Sequence, residues 1–166
     1  ILILMPSAII GARDYKKTPS NLLINKLMAY PLNKFYINAG LNVINVKDVA
    51  NAHCIGLLNS IISDTYIVSG YNVTIKDLVT LVNKTQSIEC KLFLLPKNFI
   101  LIISMILLPF ARIFRIHLPI SFFQINNRLN TFGFFDNAKF INDWGVKLKP
   151  LESTILETIS WLEKRT

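Results

Sequence analysis

Ile1-Leu2-Ile3-Leu4-Met5-Pro6-Ser7 opens the chain as a continuous apolar run closed by proline and serine. A run without in–out alternation is the pattern of a strand covered on both faces in a parallel sheet. It has no initiator methionine and no charged leader, so it does not read as a signal peptide. It reads instead as an inner strand whose neighbours precede it, in a chain that begins part-way through a domain. Such a strand, left without neighbours, predicts an aggregation-prone or molten 166-residue chain.

Downstream, strands and helices alternate. A polar loop from Gly11 to Ser20 carries Arg13, Asp14, Tyr15, Lys16 and Lys17, and a short helix over Asn21–Ala29 stops before Pro31. Asn42–Val46 has the composition of a strand, Asp48 opens a helix running to about Ser60, and Thr65–Val68 is a strand ended by Ser69-Gly70. Thr74 is an N-cap with Asp77 three residues on, and Val73 and Leu78 stand where a hydrophobic staple would bridge the helix start. Leu78, Val79 and Val82 give that helix its buried stripe. Pro150 begins a last helix whose Leu151, Ile155, Ile159 and Leu162 share one face. The order is that of an α/β protein with a mostly helical second half.

Composition bounds the rest. The length fits one domain, and 52% hydrophobic against 17% charged residues excludes a disordered tail. Cys54 and Cys90 cannot build a disulfide framework and read as free thiols of a reducing compartment. The net charge of +8 is spread along the chain, with Lys16-Lys17 and Lys164-Arg165 as its adjacent pairs, which argues against nucleic acid as a partner.

Phe99 to Ala111 is free of charge and bracketed by Lys97 and Arg112. As a helix it would be roughly 20 Å long, against the ~30 Å of a hydrocarbon core, so a bilayer span is not expected. Two readings stand: a helix lining an apolar substrate pocket, or an interfacial helix making peripheral membrane contact through residues 99–111.

Self-sufficient chemistry is scarce. The glycines are too far apart for G-x-G-x-x-G or a P-loop. His53 and Cys54 are helix neighbours pointing in different directions, and His117 stands alone, so no metal ligands are assigned. Tyr30 and Lys34 match Tyr-x-x-x-Lys, but Pro31 denies them a regular helix.

Four segments together resemble a known family. Ile3–Asp14 is similar to the strand and loop that follow the catalytic helix in extended short-chain dehydrogenases/reductases. Asn42–His53 is similar to that family's strand leading into a D-V-A helix. Thr65–Gly70 with Val73–Leu78 resembles the next strand and helix, and Asp136–Val146 with Lys149–Glu152 resembles the C-terminal signature. They occur in family order, nearest to the dihydroflavonol-4-reductase-like branch.

The resemblance implies the C-terminal part of a Rossmann-type NAD(P)-binding fold with a mostly helical substrate-binding lobe. Residues 1–70 would end the dinucleotide-binding domain, with interleaved substrate-lobe elements, and residues 71–166 would form the helical lobe. The glycine motif and the catalytic Ser, Tyr and Lys would lie outside this chain, so no catalytic residue is assigned within it. Pro6 and Ser7 would lie beside the nicotinamide of NAD or NADP, the backbone at Ile9 would hold its carboxamide, and Arg13 would meet a phosphate or the substrate. Arg13 as a solvated loop charge is equally open. Asp48 reads as a helix cap rather than an acid.

The family would make the whole protein an NAD(P)-dependent oxidoreductase acting on a carbonyl or secondary alcohol of a small molecule. A nucleotide-sugar epimerase or dehydratase, or a non-catalytic membrane-associated protein, are the alternatives. Met5 stands where nucleotide-sugar enzymes often carry Asn, and Leu41-Asn42 where they often carry Arg-Asp. Loss of a guanidinium loses bidentate phosphate recognition, which favours a less polar substrate. The implied location is cytoplasmic, with or without contact with a membrane surface, and a homodimer is compatible with it.

Overall fold

A computed structural model of the chain describes residues 1–29, 32–58, 64–113 and 130–164. Tyr30, Arg115 and His117 lie outside these residues. In chain order the described elements are β1 (Leu2–Pro6), β2 (Ala8–Ile10), α1 (Pro19–Met28), a 3₁₀ turn (Leu32–Lys34), β3 (Phe35–Tyr36), β4 (Gly40–Asn45), α2 (Val46–Leu58), β5 (Asp64–Val68), β6 (Tyr71–Thr74), α3 (Ile75–Thr85), β7 (Phe93–Leu94), α4 (Lys97–Ile113), β8 (Phe132–Gly133), α5 (Ala138–Trp144) and α6 (Leu151–Glu163).

The opening segment belongs to two sheets. β1 runs parallel to β5, with Leu2 opposite Asp64 and Pro6 opposite Val68. After Ser7 the same chain, as β2, runs parallel to β4, with Ala8 opposite Val43 and Ile10 opposite Asn45. β4 also pairs antiparallel with β6 and parallel with β8, while β3 and β7 form a separate parallel pair.

β4 divides two cores because its side chains alternate. Val43 packs with Ile10, Ile24, Val79, Val82, Ile155 and Ile159, which come from β2, α1, α3 and α6. Ile44 faces the other way, toward Val49, Ala52, Tyr66, Val68 and Phe140. Each fully buried aliphatic side chain of this size contributes roughly 1.5–3 kcal/mol of transfer free energy.

The helix ends follow their sequence signals. Thr74 caps α3, its Oγ1 accepting from the Asp77 backbone N–H at 3.1 Å and donating to the Asp77 carboxylate at 2.7 Å. Val73 and Leu78 are both buried there, as the staple requires. α6 starts directly after Pro150 and buries Ile155 and Ile159. α1 starts two residues earlier than the composition suggests, because Pro19 takes the first helical turn, where its missing N–H costs nothing.

The opening strand has the exposure of an inner strand without its neighbours: Leu2 and Leu4 are half-buried over α2 and α5, while Ile3 and Met5 stay 49% and 46% exposed. Among the described residues β1 pairs only with β5, and no helix packs on its outer face. One expectation is corrected: Asp48 is not the cap of α2. The helix begins at Val46, and Asn45 Oδ1 accepts from the Lys47 N–H at 2.7 Å, so the capping role passes to Asn45.

Candidate functional site

Ser7 sits where the chain leaves β5 and joins β4. Its N–H still donates to the Val68 carbonyl at 3.2 Å. Its side-chain Oγ is buried and has no hydrogen-bond partner, as is that of Ser69 on the facing strand end. A buried hydroxyl left unsatisfied costs about 1–3 kcal/mol, so such atoms mark places where a ligand or water supplies the missing bond.

Ser7 lines a cavity of about 620 Å³ that continues along Ile9, Gly11, Arg13 and Val46 to Asn21. Three of the four residues expected at a cofactor site, Ser7, Ile9 and Arg13, therefore share one wall. The fourth, Pro6, is the last residue of β1, paired with Val68 and exposed, and does not line the cavity. Arg13 is an exposed residue of the cavity lining and has φ 68, in the left-handed region.

The loop keeps this shape through α1. Asn21 Nδ2 donates to the Gly11 carbonyl at 2.8 Å, and the Gly11 N–H donates to Asn21 Oδ1 at 3.2 Å. Asp14 closes the far side, its Oδ2 accepting from both the N–H and the Oγ1 of Thr18 at 2.6 Å. Gly11 has φ 151, and a Cβ there would meet Val46 Cγ1 at 2.6 Å, so glycine alone fits this turn. Asn21 was not anticipated as a site residue. The signal for it is a polar residue three positions before Ile24 and six before Leu27, on the buried stripe of α1. A buried amide requires partners, and here the partner is the cavity loop.

A second cavity of about 380 Å³ lies behind the loop, against α6. It shares Asp14, Tyr15 and Asn21 with the first, and Tyr15 packs edge-on to Trp161 with ring centroids 6.1 Å apart. Residues 14–15 are thus a thin wall between two concave surfaces.

Asp48 faces away from this chemistry. Its Oδ2 accepts from the Lys149 N–H at 3.0 Å, tying α2 to the segment before α6. Burial pushes its carboxyl above the ordinary value, against the lowering effect of the Lys149 N–H and charge. His53 Nδ1 lies 2.8 Å from the Val49 carbonyl of its own helix, and Cys54 and Cys90 are free thiols. Among the described residues no group of three His, Cys, Asp or Glu could hold a metal ion.

Where nucleotide-sugar enzymes often have Arg-Asp, Leu41 packs against the first core and Asn42 is fully engaged inside the fold. Its Nδ2 donates to Asn72 Oδ1 at 2.7 Å, and its Oδ1 accepts from the Gly70 N–H at 2.9 Å. No cation stands at this place.

No protein-family profile matches the chain. Over 171 aligned residues it is 22% identical to a protein of Synechocystis sp. called "Putative dihydroflavonol 4-reductase", covering 98% of this chain and 48% of that one. The crystal structure of gox2253 superposes with a TM-score of 0.73 at 25% identity, covering 99% of this chain and 49% of the other. A nucleoside-diphosphate-sugar epimerase from Pseudomonas aeruginosa superposes at 0.65 and 17% identity, covering 99% and 48%. Other structures of this fold were solved with NADPH or with NAD+. The chain thus spans about half the length of the proteins it matches. The chain resembles a dihydroflavonol 4-reductase-like protein in sequence, and its α/β architecture is that of the Rossmann-type structures on which it superposes.

Proposed function

We propose that the chain forms the substrate-side part of an NAD(P)-dependent oxidoreductase, and that the Ser7–Arg13 cavity receives the nicotinamide end of the dinucleotide. The observation that carries this reading is the partnerless Ser7 hydroxyl, buried at the cavity wall that it shares with Ile9 and Arg13. A carboxamide offers both a donor and an acceptor to such a hydroxyl and to the neighbouring backbone. The apolar Ile9 and Val46 fit a ring face, and Arg13 fits a phosphate. Bound there, the dinucleotide supplies or accepts the hydride. The chain's own residues orient the ring, exclude water from its apolar side and hold the loop.

In the same reading residues 1–70 complete the cofactor-binding domain and residues 71–166 form the substrate lobe. The glycine motif and the proton-transfer residues then belong to the other half of the relatives' length. The protein works in the cytoplasm, where Cys54 and Cys90 stay reduced. Its substrate is a carbonyl or secondary alcohol of a fairly apolar molecule. Leu41, an apolar side chain packed against the first core where nucleotide-sugar enzymes often carry Arg, supports that choice over a nucleotide sugar.

Amide NMR spectra of the chain carrying Ile3→Lys and Met5→Lys, which remove the exposed apolar face of β1, titrated with NADH, with NADPH and with reduced nicotinamide mononucleotide, test the site. The expected result is a set of shifts confined to Ser7–Arg13 and Asn21 for all three, weakened by Ser7→Val. Shifts elsewhere, or none up to millimolar ligand, would overturn the assignment.

A further inference from the structure

Over its described side chains, α4 presents a largely apolar face to solvent. Phe99, Ile102, Ile103 and Ile106 recur at i, i+3, i+4 and i+7 and are all exposed, and Met105 beside them is 64% exposed. Ile100 and Leu101 are half-buried on the opposite arc. Phe93 and Leu94 of β7, just before the helix, are exposed as well. Soluble monomers seldom leave a contiguous apolar surface of this kind uncovered, and where they do it marks an interaction site.

The charge along this stretch of sequence points to its partner. From Cys90 to Phe135 the sequence contains no Asp or Glu, yet it carries Lys91, Lys97, Arg112, Arg115 and Arg128. Of these, Lys91 and Lys97 are described, in the segment that leads into α4 and at its first residue. A second copy of the chain would bring like charge from the same lysines to the contact, so self-association through this face is opposed by repulsion. An anionic lipid surface answers both features, with headgroups for the basic residues and acyl chains for the exposed arc. The 17 described residues of α4 extend about 25 Å, and among the described residues no helix is long and apolar enough to cross a membrane.

We propose that α4 is an in-plane membrane-docking helix, seated by Phe99, Ile102, Ile103, Met105 and Ile106 and held by the flanking lysines on anionic lipid. The Ser7–Asn21 cavity takes none of its walls from α4, so the docked helix leaves that cavity open to small molecules. This inference stands apart from the oxidoreductase reading, and either can fail without the other.

Vesicle flotation of the full chain tests it, because vesicle-bound protein rises while aggregates sink. Vesicles of phosphatidylcholine alone and of phosphatidylcholine with phosphatidylserine are the probes. The chain should float with the serine-lipid vesicles, far less with phosphatidylcholine alone, and should be released by raised salt. Ile102→Asp with Ile106→Asp should abolish flotation. Lys91→Gln with Lys97→Gln should weaken it about twenty-five-fold, each lysine being worth about five-fold at such a surface. Far-UV circular dichroism checks that each variant keeps its helix content. Equal flotation with both vesicle types, flotation unchanged in the Asp pair, or a vesicle-independent dimer dissolved by the Asp pair would each overturn the proposal.

Discussion

The Asn21 side chain and the Gly11 peptide are joined by two hydrogen bonds, one to each polar atom of Gly11, at 2.8 and 3.2 Å. A helix residue thereby fixes the exit of a strand ten positions earlier. Asn21→Ala should remove both bonds and leave the buried Gly11 N–H and C=O unsatisfied, costing about 2–4 kcal/mol in urea denaturation. A loss under about 0.5 kcal/mol would show that the loop is held by other contacts.

Gly11 is predicted to tolerate no side chain while Val46 is present. Gly11→Ala should cost at least about 2 kcal/mol, from the strained φ and the contact with Val46 Cγ1 together. In a double-mutant cycle, Val46→Ala should recover the steric part, so the pair costs less than the sum of its members. Strict additivity would remove the steric explanation.

Thr74→Ala should destabilise the protein by about 1 kcal/mol through loss of the cap on the Asp77 N–H, and Thr74→Ser should be nearly neutral. If thermal melts place the two variants together, the hydroxyl is not the stabilising group.

This cap was legible in the sequence because both partners lie within one helical turn. The last helix was legible too, since Leu151, Ile155, Ile159 and Leu162 repeat at helical spacing. The α/β class followed from the alternation of strands and helices, and the Rossmann type from the family resemblance. Interactions that depend on distant chain segments were not legible. Asn42 bonds to Gly70 and Asn72 across two strands, and Asn83 donates to the Asn33 carbonyl at 2.8 Å, fifty positions away. β6 is a four-residue strand of mixed polarity, visible only through its antiparallel partner β4. At the candidate site, Ser7, Ile9 and Arg13 were named from resemblance. Asn21 and Gly11 hold them by geometry that only the folded chain exhibits.

Lys139 lies 2.6 Å from the Asp64 carboxylate and 4.5 Å from the centre of the Tyr66 ring. The Lys139 bond holds the Asp64 carboxyl below its ordinary value, and the same bond holds the Lys139 amine above its own. A depressed carboxyl stabilises the fold above its unfolded-state pKa, and that stability is lost as pH falls through the lowered value. Lys139→Ala should therefore raise the Asp64 titration midpoint toward that of a free aspartate, read by carboxyl-carbon NMR. An unmoved midpoint would mean that the Thr65 N–H and other partners account for the shift.

Ile3, Met5 and Ile67 form one exposed apolar face on the β1–β5 pair, with Met5 directly opposite Ile67. The 166-residue chain is predicted to self-associate through it. Ile3→Lys with Met5→Lys should raise the monomer fraction in sedimentation velocity, with helix content unchanged. A wild-type chain that is already a soluble monomer with a sharp cooperative melt would refute this.

One consequence follows from the change of partner at Ser7. Nine residues, Leu2 to Ile10, are clamped at one end by Leu2 opposite Asp64 and at the other by Ile10 opposite Asn45. The segment therefore acts as a ruler between two sheets. A residue added or removed inside it would turn either Leu2 and Leu4 or Ile10 away from their cores, because side-chain direction reverses at every step. No bulge at one end can absorb the change without moving the cavity wall at Ser7. This stretch can diverge by substitution but not in length.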